Sequence, residues 1–123
     1  MSVGGAAMSR GKLVRDRIPE IIRANGELPS TRVAEGAEFQ SLLVAKLSEE
    51  VLEFIASDGD PGELADVLEV VMALADGLGV GRQGLERLRA EKEAARGGFS
   101  QRIVWSGNLP AAVGVTAQGV SAR

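Results

Sequence analysis

Between residues 37 and 56 the apolar side chains fall at Phe39, Leu42, Leu43, Leu47, Val51, Phe54 and Ile55. That i, i+3, i+4 recurrence matches the turn of an α-helix and predicts a long helix with one buried stripe. Ser57, Asp58, Gly59 and Asp60 read as a turn. Asp60 is placed to cap a new helix, and Pro61 fills a first position where no helical amide bond is lost. This second helix runs to about Asp76 through Leu64, Val67, Leu68, Val71 and Leu74, and Gly77 and Gly79 end it. A shorter helix is expected upstream, capped by Asp16, passing through Pro19, Ile21 and Ile22 and stopping at Asn25 and Gly26. Another is expected over residues 83–96, where Leu85 and Leu88 form a thin stripe among Glu86, Arg87, Arg89, Glu91, Lys92 and Glu93. So narrow an apolar face predicts a peripheral position. Residues 102–105 alternate weakly and read as a short strand, with 12–15 or 32–33 as candidate neighbours.

The pattern therefore predicts an all-α fold, a helical bundle of about four helices. Residues 1–11 are small and glycine-rich and read as a flexible leader, 12–106 as the working domain, and 107–123 as a flexible C-terminal tail. A length of 123 residues with 45% apolar content suits one small domain, since two would each be too small to bury a core. With three Phe, one Trp and no Tyr, Leu, Val, Ile and Ala must fill that core.

Composition narrows the chemistry further. The chain has no Cys and no His, which excludes disulfides, thiol nucleophiles, His bases and any Cys- or His-ligated metal. What remains are carboxylates, Lys, Arg and hydroxyls. No stretch approaches the ~18 apolar residues needed to span a membrane, and no signal core is seen, so a cytoplasmic protein without membrane contact is expected. A net charge of −3, with 14 Lys and Arg against 17 Asp and Glu, argues against stable nucleic-acid binding.

The acids are not evenly spread. Glu49, Glu50 and Glu53 lie in the long helix, and Glu63 and Asp66 open the next. A spacing of three puts Glu50 with Glu53, and Glu63 with Asp66, on one face each. A short turn makes the two helices antiparallel neighbours, so four carboxylates can converge near their joined ends. Like charges brought together shift their pKa values or take a cation. An all-oxygen set selects a hard ion, Mg²⁺ first with Mn²⁺ close behind, and Mg²⁺ ordinarily meets its substrate through phosphate oxygens. A structural alternative stays open for each acid. Glu63 is the third residue of a helix begun at Asp60, where it completes a capping box, and Glu49 with Glu53 can form a solvated face. Glu50 is the exception, because it sits beside the apolar stripe at Leu47, Val51 and Phe54, where an unpaired carboxylate is costly.

The order E-E-x-x-E at Glu49, Glu50 and Glu53, then E-x-x-D at Glu63 and Asp66, resembles the MazG-like nucleoside triphosphate pyrophosphohydrolases. Two further segments are similar to a short, single-domain branch of that family related to phosphoribosyl-ATP pyrophosphohydrolase: residues 12–22, reading KLVRDRIPEII, and 96–99, reading RGGF. The resemblance covers about residues 12–105. It implies an all-α enzyme that hydrolyses a nucleoside triphosphate between its α- and β-phosphates, giving monophosphate and pyrophosphate, often in nucleotide-pool housecleaning. It further implies that Glu50, Glu53, Glu63 and Asp66 hold Mg²⁺ and that Glu49 stands beside them as a supporting group or a water-orienting base. Family members are usually homodimers or homotetramers.

Cations for the phosphates are drawn from Lys46, one turn before Glu50, and from Lys12, Arg15, Lys92 and Arg96, which lie in or beside the family-like segments. For Lys46 an i, i+4 ion pair to Glu50 is an equal alternative, and the others can be surface charges. Arg17 with Glu20 can pair along the first helix. Phe99 and Trp105 could stack a base but more simply cover the open end of the bundle. Phosphoribosyl-ATP hydrolysis and a non-catalytic helical interaction module remain the rival functions. A ferritin-like di-iron protein is disfavoured, because its Glu-x-x-His motifs have no His here.

Overall fold

The computed structural model describes residues 11–111, and among them four helices form and no strand: α1 at Ile18–Ala24, α2 at Gly36–Ala56, α3 at Pro61–Gly77 and α4 at Gly81–Arg96. The expected leader lies outside the described residues apart from Gly11, as does the expected tail beyond residue 111. The chain divides after Arg82 into two units. The first contains α1 to α3, and the second contains nearly all of α4 and the segment after it.

The first unit is built on one contact, α2 against α3. Their joining turn is stitched locally: the Ser57 hydroxyl donates to the Phe54 carbonyl at 2.7 Å and accepts from the Asp60 amide at 3.1 Å. Asp58 and Gly59 both take positive φ there, which sharpens the reversal. Asp60 caps α3 as expected, its Oδ1 accepting from the Gly62 amide at 2.8 Å, with Pro61 in the first turn. The helices run antiparallel. Their far ends meet where Gly77 of α3 abuts the Gln40 side chain of α2, so closely that a Cβ at 77 would force the amide to move. Leu43, Val70 and Ala75 are the buried apolar residues of this packing. Phe39 and Phe54, expected in the core, are half-buried.

Helix ends follow the sequence with one correction. At the end of α1, Gly26 has φ 87°, its amide donates to Arg23 and that of Glu27 donates to Ile22. At the end of α3, Gly79 and Val80 repeat the pattern onto Asp76 and Ala75. Both are left-handed glycine stops that satisfy otherwise orphaned carbonyls. Asp16, however, does not cap α1. The chain makes a turn first, the Ile18 amide donating to Arg15 at 3.0 Å, so Arg17 occupies the cap position and contributes no side-chain bond.

In the second unit α4 is supported along its exposed face by Arg89, which pairs with Glu86 at 2.7 Å and Glu93 at 3.2 Å. The expected strand over residues 102–105 does not form. Arg102 turns back on Phe99 with φ 58°, and among the described residues no backbone partner pairs with Ile103 and Val104, which stay exposed. Phe99 is 97% exposed and Trp105 is also exposed, its indole N–H donating to Asn108 at 2.9 Å.

The cap predicts a measurable cost. Asp60→Ala should destabilise the protein by about 1 kcal/mol, seen as a lower urea midpoint, whereas Asp60→Asn should retain most of that stability.

Candidate metal centre

The α2–α3 turn brings the acidic ends of both helices together. One carboxylate oxygen from each of Glu50, Glu53 and Glu63 lies within 4.8 Å of the others. Glu50 is only 6% exposed. Its position beside the helix stripe places it inside the packed face, as its neighbours along the sequence predict. Glu63 is half-buried and Glu53 exposed, so the group opens to solvent on the Glu53 side.

Two oxygens of this group are left without hydrogen bonds. Oε2 of Glu50 and Oε2 of Glu63 are both shielded from solvent with no donor in reach. A buried acceptor left unmade costs roughly 1–3 kcal/mol, and more when it is charged. A hard divalent ion is the partner that fits, since it takes oxygen ligands only and supplies the charge that these acids lack. Glu50, Glu53 and Glu63 are the residues able to hold it.

The surrounding electrostatics agree. The Glu50 charge, with some desolvation, pushes the Glu53 carboxyl above its usual range. Burial first, then the charges of Asp66, Asp60 and Glu50, push Glu63 up as well. Glu49 behaves in the opposite way. Burial would raise it, but hydrogen bonds and charge from Lys12 and Lys46 outweigh that and hold it below the usual range. Lys12 lies 2.9 Å from Oε1 of Glu49 and Lys46 3.3 Å from Oε2, so both oxygens are occupied. Lys46 also reaches Glu50 Oε1 at 3.1 Å, the expected i, i+4 pair. These two acids raise its pKa against the opposing effect of burial.

Asp66 stands next to Glu63 but outside the three-oxygen group, and its Oδ1 is taken by Arg15 at 2.7 Å. Five carboxylates, Glu49, Glu50, Glu53, Glu63 and Asp66, thus face three cations, Lys12, Arg15 and Lys46. Lys92 and Arg96 lie exposed on α4 in the second unit. Arg17 pairs with Glu20 along α1 at 3.4 Å, as its spacing allows.

Sequence spacing identified the acids and the Lys46–Glu50 pair but not the distant partners. Lys12 meets Glu49 across 37 positions and Arg15 meets Asp66 across 51. No local pattern encodes such pairs. Only the position of the segment before α1 creates them.

No family model and no solved structure matches the chain. A protein of Mycolicibacterium smegmatis described as uncharacterized is 53% identical to it over 47 residues, which are 38% of this chain and 48% of that protein. The chain therefore spans about half the length of that relative.

These carboxyl shifts set a pH dependence for the metal-free protein. A carboxyl whose folded pKa is raised stabilises the fold below its unfolded value and loses that contribution as pH rises through the folded one. Glu53 and Glu63 are of this kind, whereas Glu49 contributes above the ordinary range and is lost as pH falls through its lowered value. In chelator, the melting temperature should therefore be highest around the ordinary carboxylate range and fall toward neutral pH. Replacing Glu53 and Glu63 together by Gln should flatten that fall in thermal melts followed by circular dichroism.

Proposed function

We propose that the chain is a Mg²⁺-dependent nucleotide pyrophosphohydrolase of the MazG-like type, hydrolysing nucleoside triphosphates to monophosphate and pyrophosphate. The observation that supports this reading best is the pair of buried carboxylate oxygens on facing helices, Oε2 of Glu50 and of Glu63, that have no hydrogen-bond donor. On this reading Glu50, Glu53 and Glu63 hold the ion, with Asp66 joining them, and Mn²⁺ is an acceptable substitute. When bound, the ion supplies neutralising charge to phosphate oxygens.

The chain's own residues take the remaining tasks. Glu49, with both oxygens held by lysines, serves as a supporting group rather than a proton acceptor. It positions Lys12 and Lys46 at the rim of the acidic group, where an incoming triphosphate needs cations. Arg15 stands at the Asp66 side and provides a planar fork suited to a phosphate. Lys92 and Arg96 remain further candidates for phosphate contact.

The same reading takes a second copy of the chain, in a homodimer or homotetramer, to cover the apolar faces of the hairpin. Leu52, Ile55, Leu64 and Leu68 are each more than half exposed, and an open apolar groove of about 420 Å³ runs along α3 past Pro61, Leu64, Val67, Leu68 and Val71. No helix among the described residues is long and apolar enough to cross a membrane. Sedimentation should give the mass of two or four chains, and Leu68→Glu should shift it toward one.

Activity is tested by pyrophosphate release from a panel of ordinary and noncanonical nucleoside triphosphates, with phosphoribosyl-ATP included. Mg²⁺-dependent turnover should fall at least about 100-fold in Glu53→Gln, as expected for loss of a ligand. Turnover of phosphoribosyl-ATP alone would reassign the substrate. No turnover of any compound would leave a non-catalytic helical module.

A further inference from the structure

The segment before α1 crosses the acidic end of the hairpin and delivers two cations, Lys12 to Glu49 on α2 and Arg15 to Asp66 on α3. The two are not equivalent. Glu49 lies outside the three-oxygen group and both its oxygens are occupied by lysines, so Lys12 does not stand in the way of an ion. Asp66 is different, because it neighbours Glu63, whose Oε2 is buried and without a hydrogen bond, and Arg15 occupies one of its two oxygens, Oδ1, at 2.7 Å. Both side chains of this pair are substantially exposed, at 54% and 40%. Exposed pairs of this kind are weak and exchange readily. Glu50, by contrast, is buried, keeps its Oε2 without a hydrogen bond, and brings a carboxylate oxygen within 4.8 Å of those of Glu53 and Glu63.

We propose that Arg15 is the resident counter-ion of the acidic centre: it holds Asp66 while no divalent ion is bound and yields that carboxylate when one binds. This rests on the metal-dependent reading above. Release of Asp66 returns to Arg15 the N–H that it spends there, and the whole guanidinium fork is then open to a phosphate. Lys12 keeps the segment anchored to α2 throughout, because its partner Glu49 is not a member of the ion-holding group.

A titration with Mn²⁺ alone tests this, with free Mn²⁺ read by electron paramagnetic resonance on the full chain. Removing a competing cation from beside the centre should tighten binding, so R15M should bind Mn²⁺ on the order of tenfold more tightly than the wild type. A merely structural role for Arg15 predicts the opposite sign, since loosening the segment would weaken the site. In a D66N background the gain from R15M should largely disappear. Unchanged or weaker Mn²⁺ binding in R15M, with E50Q still abolishing binding to the wild type, overturns the counter-ion role and leaves the metal centre standing. A gain that persists undiminished in D66N also overturns it, by tracing the effect to charge at large rather than to this pair. Absence of Mn²⁺ binding in both wild type and R15M overturns the proposal and the metal-dependent reading together.

Discussion

The packing of α2 against α3 is the constraint on which the rest of the first unit depends. It buries Leu43, Val70 and Ala75, and full burial of a Leu or Val side chain is worth about 1.5–3 kcal/mol. Through the same contact, the turn at Ser57 and Asp60 delivers Glu63 to the face of α2 that carries Glu50 and Glu53. Apolar attraction along the hairpin thus works against electrostatic repulsion at its end. A hairpin selected for stability alone would not place at that junction a buried carboxylate with one oxygen left without a hydrogen bond. At the opposite ends of the helices Gly77, lacking a Cβ, lets them close over Gln40.

The cations around the acids divide by how they get there. Lys46 is supplied by the helix itself, one turn from Glu50, and its partners hold it charged despite partial burial. Lys12 and Arg15 are supplied by a separate segment that meets both helices of the hairpin. All three stand at the edge of the acidic group, and none donates to the orphaned oxygens of Glu50 and Glu63. The protein balances part of its own charge and leaves the rest uncompensated. On the proposed reading, that division of labour lets the same residues support a metal and meet an anionic substrate as the cations exchange partners.

The exposed apolar residues of α2 and α3 belong to the same account. A hairpin with only three buried apolar residues among those described leaves much of its hydrophobic potential unused. On the proposed reading the remainder is spent between copies of the chain, which relieves a single small domain from having to build a complete core.

How much of this was legible in the sequence follows from the range of the forces involved. Helices α2 and α3, the cap at Asp60, the stop at Gly26 and the facing of Glu50 with Glu53 are local consequences of a 3.6-residue turn and of capping chemistry. The short turn made an antiparallel hairpin readable as well. The strand expected over residues 102–105 failed for the converse reason, since alternation proposes a strand but only a neighbouring backbone makes one. Tertiary structure alone decided that Asp66 stands outside the three-oxygen group, that two oxygens are sealed without a donor, and that Lys12 and Arg15 arrive from 37 and 51 positions away. Spacing along a helix is set by backbone geometry, whereas the meeting of distant charges depends on the path of the chain between them, which no local pattern encodes.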